Sequence, residues 1–188
     1  VSRRAGDPAD AGGEFLAVVL PALDVLHNLA RRLAPNPADA EELAQETLTR
    51  AWAAWSTGRV PTEARAWLAT ICLNAGRDRA RRAAVRPNLV PLEDDAQVIA
   101  ATDVEGEAIV RVQRRLVERA LWELPEEQRV AIVLMDLCGL TASETAAVTQ
   151  APRGTVLARV HRGRTRLAGV LNPGPVTEEE VTSRDSRP

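Results

Sequence analysis

The side chains of this chain best placed to do chemistry are arginines, and their spacing points to contact with phosphates and base edges. From Thr145 to Thr177 the only charged side chains are Arg153, Arg159, Arg162, Arg164 and Arg166. On a helical register Val156, Val160 and Leu167 share one face, leaving Arg153, Leu157, Ala158, His161 and Arg162 on much of the opposite side. Such a helix fits the major groove, with its N-terminal half over base edges and guanidinium groups able to pair with guanine or phosphate. A second run, Arg77, Arg79, Arg81, Arg82 and Arg86 against Asp78 alone, closes an earlier helix. Positive charge there complements the helix dipole, but the run exceeds what capping needs and favours phosphate contact.

Other chemistries lack their parts. Asp24 and His27 stand i, i+3 on a helix, half of a carboxylate-bridged metal site, but the matching half is missing and His161 sits among arginines that repel a cation. Glu41, Glu42 and Glu46 come with no nucleophile and base, so neither catalysis, a cofactor nor a metal is expected. Cys72 and Cys138 lie far apart without metal-ligand spacing and read as structural thiols.

The elements that must position the arginines are helices. Thr141 followed by Glu144 is a capping box, Ala146, Ala147 and Val148 give a small apolar face, and after the turn at Gln150-Ala151 either Pro152 or Arg153 suits a first helical position. The result is a helix-turn-helix with a basic second helix. Upstream, residues 1–13 read as disordered, and a first helix starts near Glu14 with Leu16, Val19, Leu20, Leu23, Leu26, Leu29 and Leu33 as core and Pro21 as a kink or break. Pro35-Asn36-Pro37 precedes a second helix, about Ala38 to Trp55, striped with Ala44, Leu48, Ala51, Trp52 and Trp55. Its other face carries Asp39, Glu42, Gln45, Glu46, Thr49 and Arg50, either a solvated acidic surface or a docking face for a basic partner.

A loop, Ser56 to Thr62, leads to a third helix through Ala64, Trp67, Leu68, Ile71 and Ala75. Residues 87–104 hold prolines and acids without helical period and read as a linker; at about 3.3 Å per residue they could span on the order of 60 Å, more than one DNA turn of about 34–36 Å. Helical pattern returns at Ile109, Val112, Leu116, Ala120 and Leu121, then after Pro125 with Ile132, Val133, Leu134, Met135 and Leu137, ending at Gly139; residues 172–188 read as a disordered tail. The expected fold is all-α, two small helical domains, 14–86 and 105–171, joined by a flexible acidic linker.

Net charge over the 188 residues is only −2, so the basic patches are visible in the distribution rather than the sum. The chain has no lysine and is rich in alanine, which reads as the codon bias of a GC-rich bacterial genome. No apolar run is read as long enough to span a membrane and no signal pattern is seen, so membrane insertion is not expected and the cytoplasm is the expected location.

Four stretches in this order resemble the extracytoplasmic-function (ECF) group of bacterial RNA polymerase sigma factors: NPADAEELAQETLTRAW at Asn36 to Trp52, ARAWLATICLNAGRDRARR at Ala64 to Arg82, LPEEQRVAIVLMDLCGLTASETAAV at Leu124 to Val148, and GTVLARVHRGRTRL at Gly154 to Leu167. The resemblance runs from Phe15 to Leu171. It implies that 14–86 is sigma region 2 and 105–171 is sigma region 4, with no catalysis of their own. It also implies that Asp39, Glu42, Gln45, Glu46, Thr49 and Arg50 dock on the clamp helices of the largest subunit of core RNA polymerase, with region 4 near its flap.

By the same resemblance the single-stranded minus-10 element is held by Arg59 of the Ser56–Thr62 loop and by Asn74, Arg77, Arg81 and Arg82, with an extruded base in a pocket. The duplex minus-35 element is met by Arg153, Thr155, Leu157, Ala158, Arg159, His161 and Arg162. Leu157 and Ala158 stand where the family commonly has a basic and a hydroxylic residue, and Thr145-Ala146 where isoleucine-alanine is common, so thymine methyls or DNA shape take a larger part in recognition. An anti-sigma factor is a further implied partner. The competing reading is a stand-alone helix-turn-helix regulator, which needs no acidic docking helix; residues 14–86 show no receiver-like strand alternation.

Overall fold

Pro21 has no amide hydrogen and a fixed φ, so the first apolar run cannot continue as one helix through it. In the computed structural model, which describes residues 8–85 and 105–172, α1 (Pro8–Val19) gives way to a 3-10 turn at Leu20–Ala22 and then to α2 (Leu23–Leu33). The helix begins at Pro8 and not near Glu14, because the fixed φ of proline suits a first helical position. The stretch Ala11–Leu33 is, by length and a mean hydropathy of 1.3, apolar enough to cross a membrane, contrary to the expectation from sequence. Its inward side chains, among them Val19, Val25, Leu26 and Leu29, are buried against other helices, so the apolarity builds a core.

Asn36 opens α3 (Pro37–Ser56) by accepting the Asp39 amide hydrogen at 2.9 Å, with Pro37 in the first turn. The helix ends where Gly58 takes φ of 84°. A short loop then leads into α4 (Ala64–Val85). The buried stripe of α3 is Ala40, Leu43, Thr47, Ala51 and Trp55, rotated from the one expected; Trp52 remains 40% exposed at its edge. Leu16 and Leu20 also face outward. A short α1 can bury only one narrow face, filled by Phe15 and Val19, and Phe15 stands edge-on to Trp52 and Trp55 at 5.1 and 5.7 Å.

The second unit is α5 (Glu105–Trp122), α6 (Glu126–Ile132), α7 (Ala142–Thr149) and α8 (Arg153–Leu171). Downstream of α6 the chain widens into a π turn, Val133–Leu137, in which the Cys138 amide donates to the Val133 carbonyl at 2.9 Å, and Gly139 reverses it at φ 67°. Arg129 lies 4.0 Å over the Trp122 ring and ties the α5–α6 corner. Val112, Leu116 and Leu137, expected in the core, are exposed, whereas Leu121 near the C-terminal end of α5 is buried in a cluster with Leu124, Ile132 and Leu167.

Among the described residues all regular elements are helical, in two units as expected. Less expected is that the units share a core. Val25, Leu26 and Leu29 of α2 and Ala69 and Leu73 of α4 lie in one buried cluster with Val130, Val133, Leu134, Leu140 and Val148. Each buried aliphatic side chain contributes about 1.5–3 kcal/mol. The expected linker, the first seven residues and most of the expected tail lie outside the described residues.

Candidate nucleic-acid interface

The recognition unit is built from its caps. The Thr141 side chain accepts the Glu144 amide hydrogen at 3.2 Å, while the Thr141 amide and hydroxyl each donate to Glu144 Oε2 at 2.7 Å. These bonds hold the Glu144 carboxyl below the usual carboxylate range. A depressed native pKa means the stabilisation is complete above the unfolded value of about 4.3 and is lost as pH falls through the folded one. Glu144→Gln is therefore expected to lower the thermal midpoint at pH 7 and to lose that deficit toward pH 3, and Thr141→Ala to cost about 1 kcal/mol; an equal deficit at both pH values would reject the charged cap.

The inward side chains of α7 are Thr145 and Val148, whereas Ala147, expected on the apolar face, is exposed. Gln150 then takes φ of 54°, a left-handed conformation that costs a side-chain-bearing residue about 1–2 kcal/mol, and its neighbour Ala151 donates back to the Ala146 carbonyl at 3.1 Å. Pro152 stands at the N-cap and Arg153 opens α8. Val156, Val160 and Gly163 face inward, with Leu167 half-buried. A Cβ on Gly163 would lie 2.5 Å from Ile132 Cδ1, so the absent side chain lets α8 lie tight on α6, a role the sequence reading missed.

That packing leaves Arg153, Leu157, His161 and Arg162 exposed on a face without an acid on the same helix, Thr155 and Ala158 half-exposed beside them. Arg159 does not join them. It turns to Glu127 of α6 at 2.7 Å and keeps only 17% exposure, because its helical position falls on the flank of the buried stripe. Arg164 likewise meets Asp136 through two bonds, at 2.5 and 3.0 Å, and Arg166 donates to Gln128.

On the first unit, α3 lays its acidic face beside the basic end of α4. Arg79 reaches Glu42 at 2.8 Å, Asp39 at 3.4 Å and Glu46 at 3.7 Å, and Arg82 reaches Glu46 at 3.5 Å. Arg50 bridges Glu46 at 2.6 Å and Asp78 at 2.9 Å, and Arg81 also binds Asp78. The Asp78 carboxyl is held below the usual range by Arg50 and then by Arg81. Thus the surface read as acidic is a ladder of opposite charges, which periodicity along either helix alone could not reveal. Gln45 and Thr49 stay exposed, joined by Thr49 Oγ1 donating to the Gln45 carbonyl at 2.9 Å.

Asn74 and Arg59 are exposed, on α4 and on the loop preceding it. Arg77, one turn beyond Asn74, reaches across to Glu126 of α6 at 3.3 Å. Trp67 is half-buried and packs against the buried cluster that holds Phe15, Val19, Trp55 and Leu68, a core position. Asp24, the half of a metal pair, is salt-bridged to Arg65 at 3.1 Å. Both cysteines are free and buried, as expected of structural thiols.

Two family models match in chain order: sigma-70 region 2 over residues 19–86 and sigma-70 region 4 over residues 114–167. The ECF RNA polymerase sigma factor SigM of Mycobacterium tuberculosis is 38% identical over 152 residues, covering 79% of this chain and 74% of the relative. Among solved structures, the sigma factor RpoE of Bartonella quintana, in complex with the anti-sigma factor NepR, superposes with a TM-score of 0.64 at 30% identity, over 86% of this chain and 96% of that one. CnrH in complex with the cytosolic domain of CnrY gives 0.61 at 27% identity, over 89% and 96%. Each likeness runs across both helical units.

Proposed function

The chain belongs to the ECF group of bacterial RNA polymerase sigma factors, and from that premise we propose a division of labour among its helices in promoter recognition. As a member of the group it is a dissociable specificity subunit without catalysis of its own, binding core RNA polymerase and directing it to promoters. Region 4 meets duplex minus-35 DNA through α8, with Arg153, Leu157, Ala158, His161 and Arg162 over the groove and Arg159 serving as a strut to Glu127. Region 2 holds the opened minus-10 strand with Arg59, Asn74, Arg77, Arg81 and Arg82. The α3 face from Asp39 to Arg50 docks on the clamp helices of the largest subunit, and region 4 lies by the flap.

The observation that carries this reading is α8 itself, whose inward face is apolar and whose outward face is basic without an acid. Coupling two modest DNA contacts through the polymerase raises the effective affinity of each. An anti-sigma partner is supported by the structural relative from Bartonella quintana, which was solved in complex with the anti-sigma factor NepR. The test is to mix the protein with bacterial core polymerase, follow co-elution by gel filtration, and transcribe a promoter library with the co-eluting fraction. Promoter-dependent transcripts are expected, and they reveal both elements. Separate elution with specific duplex binding by the free chain would favour the stand-alone regulator instead.

A further inference from the structure

The arginines of α8 divide into two sets. Arg159, Arg164 and Arg166 turn to Glu127, Asp136 and Gln128, whereas Arg153 and Arg162 are exposed and meet no acid among the described residues. Helical periodicity puts Ala158, His161, Thr165 and Asn172 on the same outward side, Ala158 half-exposed and the other three exposed. The chain therefore leaves α8 on the side that carries the free guanidinium groups. Between Arg162 and Asn172 that side is lined by Thr165, Ala168 and Gly169, and a Cβ on Gly169 would meet nothing within 4 Å. Such small side chains leave a shallow track running back toward Arg162.

The first charges that follow α8 are three consecutive carboxylates, Glu178, Glu179 and Glu180, reached through the uncharged stretch from Asn172 to Thr177. Within that stretch Pro173 and Gly174 are the residue types of the two central positions of a type II turn, which reverses a chain. We propose, on the promoter reading above, that Glu178–Glu180 fold back along α8 and hold Arg162 in place of a DNA phosphate, so that the chain carries its own competitor for the minus-35 duplex.

Reach and charge agree. Arg162 lies about 14 Å back from Leu171 at ~1.5 Å per helical residue, and the chain from Asn172 to Glu178 extends about 20 Å at ~3.3 Å per residue. The acids arrive at Arg162 with slack, whereas Arg153, about 27 Å back on the same scale, stands at the limit of Glu180. The uncharged spacer matters, because carboxylates against the last turn would meet the negative end of the helix dipole. A glutamate carboxylate is an acceptor-only anion, as a phosphate is, and it satisfies the same guanidinium hydrogens. Exposed ion pairs are individually weak, but a short tether supplies the acids at an effective concentration on the order of millimolar. Occupying the face in this way lowers affinity for every duplex by one factor. It keeps the chain off bulk DNA, where phosphates supply nearly all the affinity, and leaves base preference unchanged.

Two measurements on the full chain decide it. Because the chain has no lysine, Arg162→Lys introduces a single side-chain amine, and a zero-length carbodiimide joins that amine only to a carboxylate in direct contact. Peptide mapping is expected to find the bridge at Glu178, Glu179 or Glu180, and excess duplex DNA is expected to suppress it. The triple variant Glu178→Gln, Glu179→Gln, Glu180→Gln is then assembled with core polymerase and tested on minus-35 duplexes selected with the unaltered protein. It is expected to bind several-fold more tightly at low salt with the same base preference, to lose that advantage as salt rises, and to show a salt slope steeper by about one unit. A bridge to another carboxylate, or none, overturns the contact, and unchanged affinity at low salt overturns the competition. If the unaltered protein selects no template with core polymerase, the promoter reading fails, while the bridge still decides whether the acids lie on α8.

Discussion

Arg162→Ala is expected to weaken promoter recognition by about 1–3 kcal/mol, or about 5- to 150-fold, with the loss concentrated at one or two base pairs of the minus-35 element. The magnitude follows from position. Arg162 lies on the exposed face of α8, it meets no acid among the described residues, and α8 itself carries no acid. Its guanidinium is thus available for a bidentate bond to guanine or a bond to phosphate, and which of these it makes decides the pattern of loss. Arg81→Ala is the informative contrast. Arg81 is bonded to Asp78 and must exchange that partner for a phosphate, so its removal should weaken all sequences alike and reduce the dependence of log affinity on log salt by about one unit. Arg164→Ala loses a bidentate contact to Asp136 within the unit and should leave base preference unchanged. The measurement is promoter binding by the holoenzyme against a minus-35 substitution series at several salt concentrations. Identical sequence profiles and salt slopes for Arg162→Ala and Arg81→Ala would remove α8 as the reading helix.

How much of this was legible in the sequence varies with the range of the interaction that decides it. Local signals were sufficient for the helix-turn-helix: the capping box of Thr141 and Glu144, the turn before Arg153 and the inward set Val156, Val160 and Leu167 all depend on residues within a turn or two of one another. Pro21 likewise divided the first apolar run where backbone chemistry requires. Failures came where the decision was made by another helix. Leu16, Leu20, Val112 and Leu116 have the spacing of core residues, but among the described residues no neighbouring helix covers them, and they are exposed. Thr47 and Thr145, polar by type, are fully buried, and Thr47 meets its need by donating to the Leu43 carbonyl at 2.7 Å.

The candidate site shows the same division. Arginine composition pointed to nucleic acid, yet which arginines are available is a question of cross-helix geometry. Arg79 and Arg82 face the acids of α3, Arg159 faces Glu127, and Arg77 faces Glu126, whereas Arg153 and Arg162 face outward. A helical wheel sees only the helix on which a residue sits. Gly163 gave no signal at all, because its meaning depends on the distance to Ile132, thirty-one positions away in sequence and in contact in space.

Leu134→Ala is expected to destabilise the protein by about 2–5 kcal/mol and to lower a single thermal transition of the whole chain by about 4–20 °C. Leu134 is 0% exposed, in the cluster that joins Val25, Leu26, Leu29 and Leu73 of the first unit to Val130, Val133 and Val148 of the second. Truncation removes apolar area from both units at once and leaves a cavity that neither can fill by its own adjustment, so the upper part of the range is favoured. The same location makes unfolding cooperative. If each unit had a separate core, the chain would melt in two steps and only the second would move. Leu116→Ala, at a position 53% exposed on α5, should change stability by no more than about 0.5 kcal/mol and controls for the chemistry of the substitution. Scanning calorimetry of the full chain decides the matter, since two resolved transitions with only one shifted by Leu134→Ala would mean that the units do not share a core in solution.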